Sequence, residues 1–156
     1  MTAQLQQAPE LRVPYWIDAS GEDLTSFSLS DLGTGFKIIF CFKASCPGCH
    51  ARGFPTMQKI VENLSGKGVG FAVIHTAFDN DPQNSQERVR EMQLKYDLEI
   101  PFGHDPKKGS EYPTFMKDYR TRGTPFFIVI NPENKIVFGD FNIDADKVID
   151  ALANTN

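Results

Sequence analysis

An α/β sandwich built on a mixed central sheet is the fold class the sequence predicts, and three observations predict it. Two short apolar runs, Lys37-Ile38-Ile39-Phe40-Cys41-Phe42 and Val69-Gly70-Phe71-Ala72-Val73-Ile74, have the unbroken pattern of strands buried on both faces. The stretch between them is long enough for a helical crossover, so the two strands can run parallel. Near the end of the chain, Phe126–Ile130 and Lys135–Phe138 flank Asn131-Pro132-Glu133-Asn134, a turn sequence that joins antiparallel strands.

Taken in order, residues around 13–18 and 26–29, split by Ala19-Ser20-Gly21-Glu22, read as a hairpin. The first apolar run then leads into a helix from Cys46 to about Leu64, interrupted near Gly53 and Pro55. After the second run, the polar stretch Asp79 to Arg88 is a loop entering a helix over 85–97, with Val89, Met92 and Tyr96 on one face. Asn84, three residues before Glu87, has the spacing of a capping box. Pro101-Phe102-Gly103-His104 reads as loop, and a short helix after Pro113 presents Phe115, Met116 and Tyr119. A final helix is expected over about 144–153.

Composition narrows the function. At 156 residues, with 40% AVILMFWYC, the chain can bury a core without staples. The division expected is a flexible lead-in over residues 1–11 and one domain over 12–156. Sixteen Lys and Arg against 20 Asp and Glu leave a net charge of −4, with no electrostatic footprint for nucleic acid or anionic lipid. No apolar run approaches the roughly 18 residues of a membrane span. The polar, uncharged opening lacks the regions of a secretory signal, so a cytoplasmic protein is expected, or an exported one already trimmed. Three cysteines are too few, and odd, for a disulfide scaffold.

Two of them form Cys46-Pro47-Gly48-Cys49, where a buried strand gives way to a helix. That carboxyl edge is where open α/β sheets build their sites. Pro47 suits a first helical turn, since its missing N–H has no intrahelical partner to lose. Cys46 then sits near the N-cap, facing unpaired N–H groups and the positive end of the helix dipole. That field favours thiolate, which makes Cys46 the nucleophile. Cys49, one turn further in, is placed to resolve a mixed disulfide. Lys43 and Arg52 can add positive potential. Zinc normally takes four ligands and no second pair exists, so a zinc site is disfavoured; two inert thiols are the remaining bland reading.

These residues resemble the thioredoxin-fold thiol–disulfide oxidoreductases, and among them the TlpA-like redoxins (the AhpC-TSA-like group). Ser28-Leu29-Ser30-Asp31-Leu32 is similar to the segment before their first core strand, and Phe42 to Cys49 to their active-site stretch. Arg122-Gly123-Thr124-Pro125, followed by Phe127 to Pro132, is similar to their Gly-Thr-Pro loop and hairpin. The resemblance implies a thioredoxin-like three-layer sandwich with an N-terminal hairpin and a helical insert. It also implies a cis Thr124–Pro125 bond beside Cys46, with the backbone of Thr124 pairing with substrate. A redox-active Cys46–Cys49 disulfide then serves in place of any cofactor or metal. The partners expected are protein or small thiol/disulfide substrates and an upstream thiol reductant, with the protein a monomer; in the cytoplasm expected above, reduction of partners is favoured over oxidation.

The chain departs from that pattern in four places. Thioredoxins carry a buried Asp six residues before the first active-site Cys, and here that residue is Phe40. Ser45 stands where many relatives have Trp, and Arg52 where some TlpA-like proteins have Glu. The helix proline, Pro55, comes six residues after Cys49 rather than five. With no carboxylate base, the Cys49 proton is expected to go to water or a nearby His. His50 is read as either a surface residue or an electrostatic helper; His75, at the carboxyl edge, is read as near the thiols or in packing. His104 is assigned nothing, and Cys41 is read as a core residue. Two rival functions are a thiol peroxidase, whose Pro-x-x-x-Thr/Ser-x-x-Cys signature fails here, and a copper-binding redoxin. The second would use Cys46, Cys49 and either His75 or His104.

Overall fold

The computed structural model describes residues 4–154. Among them are seven strands: β1 (Tyr15–Ile17), β2 (Asp23–Leu24), β3 (Lys37–Phe42), β4 (Gly70–Ala77), β5 (Phe102–Pro106), β6 (Phe126–Ile130) and β7 (Ile136–Asp140). Four α-helices accompany them: α1 (Phe54–Leu64), α2 (Arg88–Lys95), α3 (Thr114–Tyr119) and α4 (Ala145–Ala153). The strands form one sheet in the order β2-β1-β5-β4-β3-β6-β7. At its centre β3, β4 and β5 run parallel, while β1 and β6 join antiparallel on either side. The predicted mixed sheet and thioredoxin-like fold are therefore present.

Side chains of a strand alternate between faces, and β3 divides the core accordingly. Ile38, Phe40 and Phe42 pack on the face that includes Phe54, Met57 and Ile60 of α1 and Leu152 of α4. Ile39 and Cys41 point the other way, toward Trp16, Leu29, Phe115 and Tyr119. Cys41 is fully buried there, and burial pushes its thiol well up, as befits the core residue expected.

Three elements differ from the sequence reading. The strand returning from the hairpin lies at Asp23–Leu24, not 26–29. The Asp18 carboxylate accepts the N–H groups of Ser20 (2.9 Å) and Glu22 (3.0 Å), and this tight turn brings the chain back early. The helix expected over 85–97 is confined to Arg88–Lys95, and the Asn84 capping box is not formed. Asn84 instead donates its side-chain amide to the carboxylate (2.7 Å) and carbonyl (3.1 Å) of Asp79.

The third difference matters most: the stretch read as loop around His104 is strand β5, inserted between β1 and β4. Gly103 is required in it. A methyl there would stand 3.0 Å from the Trp16 ring and from Val13. As for the lead-in expected over 1–11, residues 1–3 lie outside the described residues, and the rest is bound from Gln6 onward. Ile136 donates its N–H to Gln6 (2.8 Å), Ala8 donates to Asn134 (2.8 Å), and Tyr119 donates its hydroxyl to Pro9. Among the described residues, no helix is long and apolar enough to cross a membrane.

Candidate active site

β3 ends at Phe42, and the chain turns through Lys43, Ala44 and Ser45 into a helix beginning at Pro47. Cys46 sits at that turn, its N–H donated to the Lys43 carbonyl (3.0 Å). Its sulfur is partly exposed and accepts the Cys49 N–H at 3.2 Å. As a thiol it donates to the Thr124 carbonyl, 3.6 Å away. The Thr124–Pro125 bond is cis. This brings Cys46, Cys49 and the Gly-Thr-Pro loop together, and Gly48 lies against the loop as well: a methyl on it would stand 3.5 Å from Pro125.

Cys49 is a free thiol, fully buried, and pushed up to about 12 by that burial and then by hydrogen bonding with Cys46. Phe40 occupies the place of the missing carboxylate. Its ring stacks on Phe127 (4.9 Å between centroids) and meets Phe54 edge-on (5.0 Å). Around this ring the helix is wide: Cys49–Gly53 is a π-helical turn, which holds one residue more than an α turn. That extra residue accounts for Pro55 coming six, not five, after Cys49. Gly53 is needed where the turn meets the ring. A methyl on it would lie 2.7 Å from Phe40 Cζ and 3.1 Å from Pro125 Cβ.

The two cations are engaged by other partners. Lys43 Nζ is held by Asp79 (3.3 Å) and Asp81 (3.5 Å) and hydrogen-bonds the Ser45 hydroxyl. Those carboxylates offset its field at Cys46. Arg52 donates to the Asn142 side chain at 2.9 Å.

The histidines act on a different group, the peptide of Ala44. His75 Nε2 accepts the Ala44 N–H (3.2 Å), which leaves the ring proton on Nδ1 for donation to His104 Nδ1 (3.1 Å). His75 is held down at about 3 by burial, by His104 and by Lys43, so it stays neutral. On the other side, His50 Nε2 donates to the Ala44 carbonyl (2.6 Å) and its Nδ1 accepts the Tyr96 hydroxyl (2.5 Å). His50 is thus half-buried, with hydrogen bonds at both ring nitrogens to groups other than the thiols. Sequence reasoning named His104 only as an alternative copper ligand and Tyr96 only as a helix-face residue, and missed these contacts. Only β5, placing His104 opposite His75, could have revealed the pair.

Both ring nitrogens of His75 are spent on Ala44 and His104, and among the described residues no cluster of three or more His, Cys, Asp or Glu could hold a metal ion.

Solved structures with the same fold are numerous. A thioredoxin-like superfamily protein is 25% identical, with a TM-score of 0.82 over 97% of this chain and 98% of that one. A thiol-disulfide isomerase from Corynebacterium glutamicum is 25% identical, with a TM-score of 0.77 over 96% and 98%. The thioredoxin domain of a thiol-disulfide oxidoreductase from Bacteroides vulgatus, at 19% identity, shares the fold with a TM-score of 0.68 over 97% and 99%. No curated protein matches the chain. The model of the Redoxin family matches residues 5–151, nearly the whole length, and the chain belongs to that family.

Proposed function

We propose that this protein is a thiol–disulfide oxidoreductase that exchanges disulfides with protein substrates through Cys46 and Cys49, working as a reductase. The observation that supports this best is the Cys46 sulfur, partly exposed, 3.2 Å from a helix N–H and beside the carbonyl that precedes a cis proline. A thiolate there attacks one sulfur of a substrate disulfide. The substrate S–S bond breaks, and the departing sulfur leaves as a thiolate that takes a proton from water. Cys49 then loses its proton and attacks Cys46, forming the Cys46–Cys49 disulfide and expelling the second substrate thiolate. Two electrons pass from the cysteine pair to the substrate.

An upstream dithiol restores the pair by the same steps in reverse, so the redox-active disulfide serves without a separate cofactor. The backbone of Thr124 pairs with the substrate's main chain, reading its conformation more than its sequence. Pro47 and Gly48 shape the helix start, while His50 and His75 position the loop through Ala44. A reductase role fits the reducing compartment expected for the chain, and a monomer suffices for every step.

Trapping tests the reading. Cys49→Ser should accumulate partners covalently attached to Cys46, released by added thiol. Recovery of no mixed disulfides, together with an ordinary alkylation rate for Cys46, rules the exchange mechanism out.

A further inference from the structure

Next to the Gly-Thr-Pro loop lies a cleft of about 370 Å³ that the exchange chemistry does not use. Its walls include Phe78, which follows β4, Tyr112 and Met116 around α3, and Arg122 and Gly123 just before Thr124. Gly123 is therefore adjacent in sequence to the residue whose carbonyl meets the Cys46 sulfur. Gly123 has φ +144, a backbone conformation that side chains rarely adopt.

The cleft is held rigidly. The Asp105 carboxylate accepts the Phe115 N–H (2.7 Å) and the Thr114 hydroxyl (3.0 Å), fastening the start of α3 to β5. Tyr112 is 62% exposed. Thr121, only 6% exposed, contributes a hydroxyl with no hydrogen-bond partner among the described residues.

Charge tells what belongs there. Residues 107–122 carry five Lys and Arg against two carboxylates, in a chain whose net charge is −4. Asp118 is taken by Arg12 (2.7 Å), and Glu111 by Lys117 (2.8 Å). The Arg122 guanidinium lies over the rings of Phe126 (5.9 Å) and Phe141 (5.4 Å) and has no carboxylate partner among the described residues. Asp79 and Asp81, which follow Phe78, share Lys43 and are not among the residues lining the cleft. Of the two charged side chains lining the cleft, Lys117 is paired with Glu111 and Arg122 has no such pair, so the unpaired charge there is positive, two residues before Thr124.

Resting on the oxidoreductase reading, we propose that this cleft is a specificity site for the polypeptide flanking the substrate disulfide. Its occupant is an acidic protein segment in which a large apolar side chain lies close to the reacting cysteine. The apolar side chain packs against Tyr112 and Met116, and a neighbouring carboxylate pairs with Arg122.

The test uses disulfide-linked reporter peptides of equal length, with Glu-Phe, Lys-Phe or Glu-Ser beside the cysteine, and follows kcat/KM for their reduction. The wild type should prefer Glu-Phe over Lys-Phe by about tenfold at low salt, with the gap closing near about 0.5 M salt. Arg122→Glu should reverse that order, an outcome that mere structural damage cannot produce. Tyr112→Ser should narrow the preference for Glu-Phe over Glu-Ser. Equal rates on acidic and basic peptides, or an unchanged order in Arg122→Glu, overturn the proposal. So does reduction of glutathione disulfide as fast as the Glu-Phe peptide, which would make the occupant a small thiol. Bis(2-hydroxyethyl) disulfide, uncharged and too small to fill the cleft, separates the two levels. If it is not reduced, the exchange reading itself fails; if it is reduced while the peptides are not distinguished, only the cleft assignment fails.

Discussion

Among single side chains, Cys49 bears the hardest step. In the reduced protein its thiol is pushed up to about 12, chiefly by burial, and that burial still disfavours the thiolate when Cys46 is held in a mixed disulfide. Phe40 offers no proton acceptor, and His50 and His75 have their ring nitrogens engaged around Ala44. The proton must therefore leave to water. Because the acid is far above the working range, each pH unit raises the thiolate fraction about tenfold. The rate at which a preformed mixed disulfide on Cys46 resolves should climb by that factor per unit from pH 6 to 9. Rapid acid quenching and mass analysis would follow it, and a flat profile would show that another group takes the proton.

The elements around the site explain what the sequence could and could not disclose. The wide turn Cys49–Gly53 ends on a glycine because a phenyl ring and Pro125 come within 2.7 and 3.1 Å of where a Gly53 methyl would be. Gly53→Ala should cost about 2 kcal/mol. In a Phe40→Leu background the same change should cost about 1 kcal/mol less, because the obstructing ring is gone. Urea unfolding of the four proteins measures this coupling, and strict additivity would mean that ring and methyl do not collide.

The Cys-Pro-Gly-Cys pair was legible because its chemistry is local: strand, turn and helix start are adjacent in sequence. So were β3, β4 and β6, whose unbroken apolar runs admit few other readings. β5 was not, since Phe-Gly-His-Asp-Pro has almost no strand propensity and is held by neighbours on both sides. Gly103 looks like a turn residue until Trp16 is seen lying over it. With β5 hidden, the His75–His104 contact was hidden too. Asn84 misled for a related reason, because Asp79 competes for the side chain that a cap would need.

For the molecule as a whole, that buried histidine pair couples stability to acid. The unfolded chain binds a proton on His75 near pH 6.5, whereas the folded state resists until about 3. With the folded value depressed, protonation favours the unfolded state. Stability is therefore retained above about 6.5 and falls progressively as pH drops toward 3, by at most roughly 5 kcal/mol from this residue. His104, also lowered by burial, acts in the same direction. Urea midpoints compared at pH 7 and pH 4.5 should fall steeply for the wild type and less steeply for His75→Gln. Equal slopes would assign the acid sensitivity to other groups. The sheet has a second effect at this scale, through Cys41. It belongs to the core opposite the one that holds Cys49, with β3 itself as the partition. The folded chain can therefore close only one internal bridge. On the proposed chemistry each molecule then carries two electrons in one cysteine pair, with the third sulfur kept on the far side of the sheet.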